Sequence, residues 1–300
     1  MSLFNKDSTA RFLFAASFLI TIGLSLVILI FLATESLPVL RHEGLGFITG
    51  KDWYVAGEVY GALPMIYGTL AVTIVAFFIA LPLGIGSAVI TSELLTGAPR
   101  HILKSLMELL AAIPGVVYGL IGIVLLTTTV KDIFGLLDGN TILSAGLLLG
   151  IMILPTIMTL SDDAMRSVPG ELRGQARALG LTGGETIWRV VLPGAGRGIT
   201  GAVLLGLSRA MGETISVMLV IGSIDRLPTP IYNILTSGES ITSKLGREGA
   251  EALGMGLQWS ALAALALILF LSVMALTLAG NIIRGGPRAR PARKAIAGKG

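Results

Sequence analysis

Six runs of roughly 20 or more mostly apolar residues constrain this chain more than any other feature. They lie at 12–34, 66–90, 107–129, 141–160, 199–222 and 257–283. A helix needs about 20 such residues to cross a hydrocarbon core of about 30 Å. In lipid, every backbone N–H and C=O must be satisfied internally, so only helices and closed barrels span it. The runs therefore predict an all-α protein, a polytopic transmembrane helical bundle with six spans. Composition agrees: 13% of the residues are charged, about half the share of an average soluble domain. The first run exceeds the 7–15 apolar residues of a cleaved signal peptide, and no small-x-small site follows it. It is expected to be a retained span.

The chemistry open to the chain is narrow. There is no cysteine, which excludes disulfides and thiolate metal sites. The two histidines, His42 and His101, lie outside the apolar runs and far apart. No metal site and no cofactor are expected. The net charge of +4 matters less than its placement. Of the 22 Lys and Arg residues, 15 fall in the N-terminal tail, the second and fourth inter-span loops and the C-terminal tail; six fall in the alternate loops. Positive charge collects on the cytoplasmic side. Both termini and the loop 161–198 are thus expected in the cytoplasm of a multi-pass inner-membrane protein. The basic tail marks topology, and no nucleic-acid partner is expected. Three sections follow: 1–65, the first span and an external loop; 66–283, a five-span core carrying the cytoplasmic loop 161–198; and 284–300, a basic cytoplasmic tail. The external stretches 35–65 and 223–256 are long enough to carry an interaction; alternatively they are solvated caps.

Within the runs, Gly115-x-x-x-Gly119 and Gly146-x-x-x-Gly150 place small residues on one helix face, which lets helices approach closely. Pro82, Pro114 and Pro155 each remove a helical hydrogen bond and bend or break the helix. Such helices either line a transport cavity or are simply kinked members of the bundle.

The loop 161–198 is too polar to span and too patterned to be structureless. Val168-Pro169-Gly170-Glu171 reads as a helix start, and Gly180 as its stop. A second short helix is expected from Gly184-Glu185, ending at Pro193 before the fifth span. The run Gly174-Gln175-Ala176-Arg177-Ala178-Leu179-Gly180, followed after nine residues by Val190-Val191-Leu192-Pro193, resembles the EAA loop of ABC importer permeases. That pattern is Glu-Ala-Ala, three residues, Gly, nine residues, Ile-x-Leu-Pro. Ala176, Gly180, Leu192 and Pro193 match; Gly174-Gln175 replaces Glu-Ala, and Val190 replaces Ile. Without the glutamate, no salt bridge made by that residue in relatives carries over. The resemblance implies a type I importer permease fold and a coupling helix that docks on an ATPase subunit. The alternative is an amphipathic hairpin on the lipid surface.

Further stretches are similar to the phosphate-specific permeases of the PstC type: Trp53, Tyr60-Gly61-Ala62-Leu63-Pro64, Gly68-Thr69-Leu70, Glu108-Leu109-Leu110-Ala111-Ala112-Ile113-Pro114-Gly115-Val116-Val117-Tyr118-Gly119 and Ser208-Arg209-Ala210-Met211-Gly212-Glu213-Thr214. This likeness implies a non-catalytic subunit. Its partners would be cytoplasmic ATPase subunits, a second similar permease, an external phosphate-binding protein and the bilayer. The chain has no G-x-x-x-x-G-K-[ST] phosphate loop, so ATP would bind another polypeptide.

Arg209 and Glu213 stand near the middle of the fifth run. A charge there costs on the order of 2.5–3.5 kcal/mol on insertion scales. Four residues apart, they are expected on one helix face, though Arg before Glu is the weaker order for a local pair. They either face a wet translocation path or form a buried interhelical ion pair. An arginine fork suits phosphate oxygens, and a carboxylate can accept a hydrogen bond from protonated phosphate. Two rivals remain. A secondary transporter or channel for a small anion would need its own coupling-ion groups. A membrane-embedded enzyme would need a constellation near the membrane face, for which Asp162-Asp163 is the nearest candidate.

Overall fold

The computed structural model describes residues 3–284; most of the basic tail lies outside them. Among the described residues, six helices are long and apolar enough to cross a membrane: Phe14–Glu43, Leu63–Leu94, Gly115–Phe134, Ile142–Arg166, Gly183–Met211 and Leu257–Ile283.

The first span is α1 (Leu3–Glu43), which continues past the apolar run. A short helix α2 (Gly46–Thr49) and a hairpin of β1 (Trp53–Tyr54) and β2 (Val59–Tyr60) follow, with Trp53 opposite Tyr60. This segment is no loose cap. Phe47, Tyr60 and Met65 are buried with Ile241 and Leu262 at one end of the bundle. The second span is α3 (Leu63–Val89), extended by a π turn at Ile90–Leu94; Pro82 lies inside it.

The sequence predicts a third span from residue 107. The structure instead breaks the chain at Ile113-Pro114. Before the break lies α4 (Ala98–Ala112), which buries no residue fully. The span proper is α5 (Gly115–Ile121), a π turn at Gly122–Thr127 and α6 (Thr128–Phe134). Pro114 has no N–H to give a continuing helix, and its φ suits the entry to a new one.

The fourth span, α7 (Ile142–Arg166), is the central helix. Of its most apolar stretch 67% is buried, against none for the first span. It packs along α3, and the paired glycines set that seam: a Cβ on Gly146 would overlap Val75, and one on Gly150 would crowd Ile79. Gly115 and Gly119 work likewise against Glu213, Ser216 and Leu219. Ile157 of α7 fills the spaces opened by Gly84 and Gly206 on either side.

The loop 161–198 holds α8 (Gly170–Ala178) and α9 (Gly183–Thr186). Pro193 does not end the second helix, as its residue type suggests. A π turn at Ile187–Val191 leads directly into α10 (Leu192–Met211), with Pro193 in its first turn. The Leu192 N–H reaches back to Ile187, and the wider turn absorbs the residue that cannot donate. The fifth span then stops at Met211, not near 222. After a break at 212–214 comes the short α11 (Ile215–Val220), then α12 (Ile241–Glu248) and the last span, α13 (Leu257–Arg284).

Candidate functional site

The break in the fifth span holds the two charges singled out by sequence, but not on one helix face. Arg209 lies in the last turn of α10, Gly212 caps that helix, and Glu213 sits beyond its end. Among the described residues no ion pair joins them. Arg209 Nη1 donates to Thr156 Oγ1 on α7 at 3.1 Å, and its side chain is otherwise open to the chain's surface. Glu213 turns the other way. Its Oε1 lies 2.9 Å from the Ser216 hydroxyl and accepts the Ser216 N–H at 3.4 Å, closing the first turn of α11. That hydroxyl also reaches the Gly115 carbonyl at 2.7 Å, so the break is held against the start of α5. A carboxylate is favoured at a helix N-terminus by the unpaired N–H groups there.

The first turn of α12 and the segment leading into it tie the other side of the break. The Ile241 N–H donates to Thr69 Oγ1 on α3 at 2.9 Å, and Thr242 Oγ1 donates to the Glu213 carbonyl at 2.8 Å. A Cβ on Gly68 would collide with the Glu239 carbonyl; glycine there lets the segment descend onto α3. Thr69, Thr73, Glu213, Ser240 and Thr242 line a cavity of about 10 Å³, room for about one water.

Sequence reasoning missed the charge network just outside this point. Lys244, fully buried, lies 2.5 Å from Asp225 and 2.6 Å from Glu248, with its ammonium 4.9 Å from the Trp53 ring centre. Arg247 lies 2.6 Å from Glu239, which is 1% exposed. Burial pushes the Glu239 carboxyl up to about 7, although Arg247 opposes the shift. The network ties Asp225 and Glu239 to α12 and sets Lys244 of that helix against the hairpin. The i,i+4 spacing of Lys244 and Glu248 was the one readable signal.

At the end of the bundle that carries the 161–198 loop, α8 ends as its sequence predicts. Gly180 has φ +87°, the Leu181 N–H donates to the Ala176 carbonyl at 3.1 Å, and the Gly180 N–H to Arg177 at 3.0 Å. This is the Schellman arrangement, which needs a left-handed residue at the stop. Thr182 and Glu185 then form a capping box that starts α9. Ala176 is buried, Gln175 and Pro193 are exposed, and Val190 and Leu192 are half-buried. Leu179 and Trp188 stand 83% and 74% exposed. Asp162, the enzyme rival's best candidate, is buried between Arg100 at 3.6 Å and Arg166 at 3.5 Å, an ionic tie between α4 and α7.

A six-span bundle with a broken span and a helical loop projecting from one end is the architecture of an importer permease. Solved structures share it. The chain aligns with an inward-facing structure of the MetNI methionine ABC transporter at TM-score 0.56 and 20% identity, over 75% of this chain and 95% of that one. A bacterial alginate ABC transporter aligns at TM-score 0.53 and 18% identity, over 92% and 95%. Residues 80–285 match the family described as "Binding-protein-dependent transport system inner membrane component", and the chain belongs to that family. Among individual relatives, the probable ABC transporter permease protein YqgH of Bacillus subtilis is 36% identical over 270 residues, 88% of this chain and 87% of that protein. The phosphate transport system permease protein PstC of Mesorhizobium japonicum is 37% identical over 246 residues, 76% and 74%. The likeness expected from the loop and span motifs is therefore present along most of the chain.

Proposed function

We propose that this chain is the permease subunit of an ATP-driven importer of inorganic phosphate. It would pair with a second, similar permease, dock cytoplasmic ATPase subunits on the 161–198 loop, and receive substrate from an external phosphate-binding protein. The observation that carries the substrate is the 37% identity to a phosphate transport permease over about three quarters of both chains. The ATP-driven reading is supported by the Schellman-stopped helix at the EAA-like spacing, with Leu179 and Trp188 left uncovered beside it.

Arg209 and Glu213 serve the path separately in this reading. The Arg209 guanidinium uses one donor on Thr156 and keeps the rest of its planar fork for an oxyanion. An arginine facing lipid would be costly, so its open face belongs against the second permease or a wet passage. Glu213 lies at the helix break, where discontinuous spans place binding groups. Both termini are cytoplasmic, by the distribution of Lys and Arg.

Purification of the tagged chain from its native membrane in mild detergent tests the assembly. An ATPase and a second permease should copurify. Recovery of this chain alone, with phosphate uptake intact, would favour a secondary transporter or channel.

A further inference from the structure

One arginine on α8 joins three elements at the cytoplasmic face. Arg173 Nη2 donates to Glu93 Oε1 at 2.8 Å and Nε to Glu93 Oε2 at 3.3 Å, a two-pronged contact with the π turn that ends α3. The same guanidinium donates through Nη1 to the Val168 carbonyl at 2.5 Å and through Nη2 to the Met165 carbonyl at 2.9 Å, at the end of α7. Arg173 and Glu93 are only 20% and 11% exposed. A charge-assisted fork this sheltered from water is stronger and more directional than a surface ion pair. The end of α3 meets α7 a second time through Ser92 and the Met165 sulfur, 3.3 Å apart.

We infer that the Arg173–Glu93 fork is the joint through which displacement of α8 is passed to the second and fourth spans. α3 and α7 interlock along the Gly146–Gly150 seam. A pull on their cytoplasmic ends therefore moves them as one body, because close-packed interfaces shift as units. Arg173 is a positioning residue: it touches neither substrate nor nucleotide. Lysine cannot replace it. An ammonium is a single point of charge, and here one planar group serves a carboxylate edge and two carbonyls at once. The inference rests on the proposed docking of α8 by an ATPase.

The test uses the intact complex, copurified with its ATPase and second permease and reconstituted in liposomes with binding protein. ATP hydrolysed per phosphate imported is measured for the unaltered complex, Arg173→Lys and Glu93→Gln. Both variants should be recovered at normal yield with their ATPase bound. Each should raise the ATP consumed per phosphate by about fivefold or more, the lower end of typical coupling between sites. A stoichiometry unchanged in both variants overturns the inference. So does a loss of uptake and hydrolysis in equal proportion, tracking the complex recovered, since that is the mark of a merely structural cap. An unaltered complex with no ATP-dependent uptake would overturn the proposed function itself, and this outcome is distinct from the other two.

Discussion

Gly180 is where the docking geometry can be perturbed without touching anything else. Its φ is +87°, and a Cβ built on it meets nothing within 4 Å. A substitution there disturbs the backbone angle alone. For an L-residue the left-handed region costs roughly 1–2 kcal/mol. Asn tolerates it better than Ala, and a β-branched residue is a true outlier there. A cost of one to two kcal/mol shifts a two-state balance by about five- to thirtyfold. The Schellman bonds from Leu181 and Gly180 would then be broken for much of the time, and α8 would lose its fixed relation to α9. Coupled phosphate uptake should fall in the order Gly180, Asn, Ala, Val, with Gly180→Val lowest. The subunit should still insert at normal abundance, because the site is exposed and outside the packed bundle. Uptake and ATPase activity are measured together in the reconstituted complex, and subunit content by blotting. Normal coupled uptake by Gly180→Val at normal abundance would refute the argument that this turn sets the docking geometry.

Further outcomes follow from the same structure. The chain has no cysteine, so Leu137→Cys and Leu179→Cys, at sites 100% and 83% exposed, should report topology. An impermeant thiol reagent should label the first and not the second in intact cells; the reverse pattern would invert the proposed orientation. Arg209 and Glu213 have separate partners, so Arg209→Leu should abolish uptake with assembly retained, and adding Glu213→Leu should not restore it. Restored uptake in the double variant would make the pair an assembly device. Glu239 faces Arg247, Asp225 and Lys244, and burial pushes its carboxyl up to about 7 from an ordinary 4.5. A raised carboxyl pKa means the folded loop holds the proton more tightly. Local stability should therefore fall as pH rises from 4.5 to about 7, and Glu239→Gln should flatten that slope. Hydrogen exchange across 237–248, corrected for intrinsic rates, measures it; a slope unchanged by the substitution would exclude Glu239 as its source.

The number of spans was legible because hydropathy alone decides whether a helix enters lipid. The spans' internal breaks were less so. Residues 107–129 read as one apolar run, but Pro114 divides them, and hydropathy cannot weigh a missing N–H against apolar content. The fifth span was misplaced for the converse reason. Gly183–Val191 is polar enough to read as a separate loop helix, yet a π turn fuses it to α10, and the real break falls at Gly212-Glu213-Thr214 within an apolar stretch. The turn at Gly180 was readable because local chemistry fixes it. The Arg173–Glu93 fork and most of the Lys244 network were not, because partners such as Arg173 and Glu93, 80 residues apart, and Lys244 and Trp53, on either side of four spans, meet only once the bundle has formed.

In the proposed assembly, this chain conducts phosphate only when ATP drives it. This dependence is tested most directly by radiolabelled phosphate uptake into liposomes holding the purified complex. Uptake should require both ATP inside and binding protein outside, should continue against a phosphate gradient, and should be absent for sulfate. Phosphate entry that proceeds without ATP and runs only down its gradient would make the protein a passive carrier or channel instead.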